Sequence, residues 1–250
     1  MTKSICQWSW LPLLLSLISA GAAADDFAEP YQLPEQPLLQ PLLPVLPAGY
    51  FPVALANGDL NADGQDDYAL VIQQWPLTAP PQQASDHIPA FPDDNDPTGS
   101  PARWRRDLLI LLGNKTGTPE VQGRYLGFIP DRDRQASGND PLSYIAITEG
   151  RLEARFRHST GMMQRQREDI TYRFRLQPDR LLLLSHYNRH RINRSTTLFE
   201  ETTLDLDQGS LIRTSGSMSN PRHKQERQNF RAVAGWTPAM ITDPLNFKPE

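Results

Sequence analysis

The chain has 250 residues, 25 Lys+Arg against 29 Asp+Glu, a formal net charge of −4 and a single cysteine, Cys6. Cys6 lies in a segment expected to be removed on export, which leaves no disulfide, thiolate zinc site or cysteine nucleophile in the remainder. The acidic balance argues against nucleic acid as a partner, and a remaining chain of about 225 residues is long enough to bury a core without staples.

Residues 1–24 read as a signal peptide: Lys3 supplies the positive start, Leu11 to Ile18 the apolar stretch, and Ala22-Ala23-Ala24 the small-residue exit. The expected location is periplasmic or secreted. The apolar stretch is shorter than the roughly 20 residues that cross a bilayer, and no later segment comes closer, so no transmembrane segment is expected after its removal. Residues 25–52 follow as an extended Pro/Leu-rich tether, with prolines recurring among leucines (LPEQPLLQPLLPVLP), which either floats free or lies along the domain surface on its leucines. Residues 53–237 form the expected antiparallel β domain, and 238–250 a C-terminal tail.

Within that domain GDLNADGQDDYALVI, Gly58 to Ile72, passes from a polar loop into a strand. A long loop at 76–101 carries a second acidic cluster, Asp93-Asp94-Asn95-Asp96, without the glycine that would enforce a turn. Leu108 to Leu112 is a continuous apolar run, as expected of a strand buried on both faces. Leu142 to Thr148 and Leu152 to His158 flank Glu149-Gly150, the pattern of a tight hairpin. In Ile170 to Leu176 the residues Tyr172, Phe174 and Leu176 share one face and Arg173 and Arg175 the other. Leu181 to Tyr187, Thr196 to Leu206, Ser210 to Thr214 and Gln228 to Ala234 complete the strand set. Strands at short spacing without helical patterns predict a mainly β fold, an antiparallel meander-type curled sheet or sandwich.

The Gly58–Ile72 stretch carries the clearest chemistry. Counted from Asp59, side-chain oxygens fall at positions one, three, five and nine (Asp59, Asn61, Asp63, Asp67), and Gln65 at seven offers its backbone carbonyl. Calcium takes six to eight oxygens at about 2.3–2.6 Å, and alternating side chains on a turning loop can converge on one point. Gly64 permits the turn. Position twelve is Leu70, where an EF-hand needs a bidentate glutamate. The competing reading is a polar hairpin turn in which the acids only provide solubility.

At these residues the sequence resembles the calcium loop of FG-GAP and VCBS-type repeats, and the resemblance implies calcium held by Asp59, Asn61, Asp63, Gln65 and Asp67. Those families build propellers of several blades; one copy here argues against a full propeller. The order of GDLNADGQDDYALVI, RRDLLILLG, GNDPLSYIAITEGRLEARF and YRFRLQ is similar to a group of uncharacterised secreted bacterial proteins, which implies export and brings no activity with it.

Charge is segregated along the chain. Residues 25–100 contain no lysine or arginine, whereas residues 151–194 hold eleven arginines against Glu153, Glu168, Asp169 and Asp179. If their strands pair in register, Arg155, Arg157, Arg173 and Arg175 form a basic stripe suited to an anionic envelope polymer or an acidic protein. The alternative is a solvated face crossed by pairs with Glu153, Glu168 and Asp169.

His158, His186, His190 and His223 form no metalloprotease motif, and no nucleophile elbow occurs. Trp75, Trp104 and Trp236 with Tyr125, Tyr144 and Tyr187 are of the type that builds a carbohydrate-stacking platform, but their scatter along the chain fits core and sheet-edge packing better. No catalytic residue is singled out. The expectation is a non-catalytic binding or structural protein with one calcium-stabilised loop, against the alternative of a hydrolase of a cell-envelope polymer.

Overall fold

The computed structural model describes residues 39–74, 105–131, 140–160, 165–230 and 235–249. Eleven strands appear in it: β1 Tyr50–Gly58, β2 Asp67–Gln74, β3 Arg106–Leu112, β4 Glu120–Leu126, β5 Leu142–Thr148, β6 Arg151–Thr160, β7 Gln166–Leu176, β8 Leu182–Asn193, β9 Leu198–Asp205, β10 Ser210–Ser217 and β11 Asn220–Asn229. They form two antiparallel meanders, β1-β2-β3-β4 and β11-β10-β9-β8-β7-β6-β5, neither closed into a barrel. The expected mainly β, antiparallel, non-propeller architecture is the one found.

Alternation decides which side of each strand meets the core. Ala69 and Val71 of β2 and Leu108 and Ile110 of β3 face Leu152, Ala154 and Phe156 of β6 and Ile170, Tyr172 and Phe174 of β7 in one buried cluster. The two sheets therefore pack face to face as a sandwich. Phe128, just past β4, sets its ring edge-on against Phe156, Tyr172 and Phe174, with centroids 5.2–5.7 Å away. Edge-on contact places the positive rim of one ring on the negative face of another.

The opposite residues of the smaller sheet, Leu70, Ile72, Leu109 and Leu111, are also buried. Their cover is the Pro/Leu segment. Residues Gln40–Val45 form a 3-10 helix with Leu42 fully buried against that face, so the described end of the expected tether is part of the domain. The prolines stop an α-helix but leave the leucines free to dock. This cover explains why β2 and β3 read as continuous apolar runs.

Residues 238–250, expected as a tail, are likewise structural where described. Ile241 is buried, and Phe247 packs on Tyr172, Tyr187 and Trp236. The Tyr172 hydroxyl donates to the Pro244 carbonyl at 2.6 Å and that of Tyr187 to the Phe247 carbonyl at 3.2 Å. Burial pushes the Tyr172 phenol far up and the Tyr187 phenol up to about 12, which keeps both as donors.

The Glu149-Gly150 hairpin is present with φ of 53° and 68°, the left-handed pair of a two-residue turn matched to strand twist. Of the strand expected at Gln228 to Ala234, Gln228 and Asn229 end β11, which begins at Asn220 and is held by its ladder to β10; residues 231–234 lie outside the described residues. Strands β1 and β4 were not anticipated. The loop at 76–101 with its Asp93–Asp96 cluster, the signal segment, Trp75 and Trp104 lie outside the described residues.

Candidate functional site

The loop of residues 59–66 joins β1 to β2 above the closing pair Gly58↔Asp67. Left-handed backbone at Ala62 (φ 61°) and Gly64 (φ 80°) curls it. The Asp59 carboxylate accepts from the Asp63 and Gly64 N–H groups at 3.1 and 2.9 Å. Asn61 Oδ1 accepts from Asp63 N–H at 2.9 Å, and Asp63 Oδ1 from Gln65 N–H at 2.8 Å. The Asn61 amide donates to Asp63 Oδ2 at 2.9 Å. Sequence positions one, three and five are thus brought onto one turn, with side chains fixed by the backbone they flank.

Asp67 behaves differently. It is fully buried, with Oδ2 accepting from Leu60 and Asn61 N–H at 2.8 and 3.2 Å and Oδ1 from Gly113 N–H at 2.8 Å. It ties the loop to the end of β3, where a side chain at Gly113 would meet the Asp66 carbonyl at 2.2 Å. Burial raises its pKa most; the three N–H donors pull it back, and the negative charge of Asp63 adds to the rise. At the other end of the loop Gly58 lies against Ile147 of β5, and Leu60 is buried in the shared core. The loop therefore spans the junction of both sheets.

As a donor set for a hard cation, Asp59 and Asp63 fit: a carboxylate has about four acceptor positions, and the N–H groups take no more than half. The Asn61 oxygen and Gln65 carbonyl are of the right kind. Asp67 fits less well, because both its oxygens already serve backbone donors. Among the described residues no three His, Cys, Asp or Glu side chains converge into a metal-holding group, so amide and carbonyl oxygens would have to complete any sphere.

Register places Arg155, Arg157, Arg173 and Arg175 together on the outer face of the larger sheet, beside Arg151 and Arg167. Carboxylates lie among them. Glu153 accepts from Arg155 and Arg173, Asp169 from Arg157 and Arg167, and Asp207 pairs with Arg151 and Arg175. Six arginines share three carboxylates, so their charge is largely paired within the chain. Glu168 is not part of it. It lies on the inner face in phase with Ile170 and Tyr172, almost fully buried, and takes Arg189 on one oxygen and Arg191 on the other at 2.7 Å. Its even-numbered phase was the signal in the sequence that marked it as inward.

His186 and His190 share the outer face of β8 but pair across to different neighbours, Asp205 and Glu201. Tyr187 belongs to the core, Trp236 and Tyr125 pack against it, and Tyr144 is exposed beneath the Arg155 guanidinium. These aromatics form no common platform. Comparison with protein-family models, curated proteins and solved structures gives no match.

Proposed function

We propose that this is an exported, non-catalytic binding or structural protein whose β sandwich is clasped by one calcium ion in the β1–β2 loop. The observation that carries the reading is electrostatic: Asp59, Asn61 and Asp63 turn their oxygens onto one bend, and the Asp63 charge acts on the buried Asp67 carboxylate. No lysine or arginine occurs in residues 25–100 to relieve it. Calcium would supply that compensation. Asp59, Asn61, Asp63 and the Gln65 carbonyl would hold it, with Asp67 at the base, as in the FG-GAP-like pattern that the loop resembles.

The role is structural because the loop bridges the two sheets and every protein donor comes from one short segment. The outer arginine face is the surface offered to an anionic envelope polymer or an acidic protein. Its arginines are already shared among Glu153, Asp169 and Asp207, so such contact is salt-sensitive and shallow.

Melting curves in calcium and in chelator test the clasp. Calcium at about a hundred times its dissociation constant stabilises a native-only site by about 2.7 kcal/mol, which corresponds to roughly 5–10 °C for a chain of this size. The shift disappears in Asp59→Ala and Asp63→Ala. An unchanged midpoint at saturating calcium would defeat the proposal.

A further inference from the structure

We infer that the inner face of the larger sheet carries a binding site for a small organic oxyanion, a carboxylate or phosphate monoester with an apolar body. The far strands β8, β9 and β10 carry it. There the inward rank Arg189↔Thr202↔Arg213 runs across β8, β9 and β10, next to the rank in which Tyr187 faces Leu204. Tyr187, Arg189, Thr202 and Arg213 floor a pocket of about 330 Å³ whose wall is the C-terminal segment at Phe247, Lys248 and Pro249. That volume lies within the range of small-ligand sites.

The lining chemistry is one-sided, with three cationic side chains, a threonine hydroxyl and a phenol, but no carboxylate. Arg189 is mostly buried and spends its Nε and one Nη on Glu168, which it shares with Arg191. Arg189 also donates to the Tyr187 hydroxyl; a guanidinium has five N–H donors, so after Glu168 and Tyr187 about two remain, held in place by those partners. Glu226 lies opposite Arg213 in register, yet among the described residues no carboxylate comes within ion-pair distance of Arg213 or Lys248. Phe247, Pro249 and the Tyr187 ring supply the apolar wall. Arginine forks on a carboxylate or phosphate, beside a ring face, select an anion joined to an apolar group over a bare ion.

Calorimetric titration of the purified protein in chelator, with benzoate, phenyl phosphate, inorganic phosphate and benzylamine, tests the site. Benzoate or phenyl phosphate should bind, more tightly than inorganic phosphate, with affinity falling as salt rises; which of the two is tighter identifies the headgroup. Benzylamine should not bind. Arg213 and Lys248 are exposed, so Arg213→Gln/Lys248→Gln leaves the fold intact and should weaken binding by about tenfold. Absence of binding by both aryl anions, equal binding by inorganic phosphate or benzylamine, or undiminished binding by the folded double variant would each overturn the inference.

Discussion

Replacing Asp67 by asparagine separates two roles that the loop sequence runs together. The carboxylate serves three backbone donors, Leu60, Asn61 and Gly113, at 2.8–3.2 Å from a fully buried position. Asparagine is nearly isosteric but has one acceptor oxygen. Its best orientation keeps the pair at Leu60 and Asn61 and turns its amide towards the Gly113 N–H. One buried donor is then unsatisfied, at about 1–3 kcal/mol, and two charge-assisted bonds become neutral ones, at about 1 kcal/mol each. Relief of the buried charge that raises the Asp67 pKa offsets part of this. A net loss of roughly 2–4 kcal/mol follows, or roughly 5–15 °C in midpoint. Urea melts in chelator and in calcium measure it. Asp67→Asn should be destabilised in both, whereas Asp63→Asn should match the parent in chelator and lose only the response to calcium. If Asp67→Asn lies within about 0.5 kcal/mol of the parent in chelator, the assignment of Asp67 as the root of the loop is wrong.

Stability should also fall on mild acidification. Burial is the main cause lowering the pKa of both His158 and His186, with Arg173 adding to it at His186 and Glu168 opposing it at His158. Their contribution is therefore fully present above the ordinary histidine value of 6.5 and is lost as pH falls through the depressed folded values. Asp67, with a raised pKa, acts in the opposite sense in the lower window above 3.8. Urea melts between pH 7.5 and 5.5 should show a decline that flattens in His158→Gln/His186→Gln; an unflattened decline would remove these histidines as its source. Leu42→Ala should cost about 2–5 kcal/mol because Leu42 fills the outer face of the smaller sheet. A change below about 0.5 kcal/mol in urea melts would show that this segment is dispensable.

Much of the fold is legible because alternation is a local property. In β7, Ile170, Tyr172 and Phe174 declare their burial by phase, and Glu168 obeys the same phase despite its charge. The Glu149-Gly150 turn was readable from its residue types. The loop spacing at 59, 61 and 63 also foretold a shared bend, since side chains there bond backbone only a few residues away.

Distance in sequence set the limit. Strand β11, polar apart from Pro221, has no apolar period and exists because β10 offers it a ladder. The Pro/Leu segment gives no period either, and only the exposed apolar face of β2 and β3 decides that Leu42 is buried. Asp67 shows both halves. Its place at the ninth loop position follows from the sequence alone, which suggests a ligand like the others. Gly113, forty-six positions further on, turns it into a buried anchor, because an N–H donor from another strand is supplied by tertiary packing and leaves no trace in the loop's own residues.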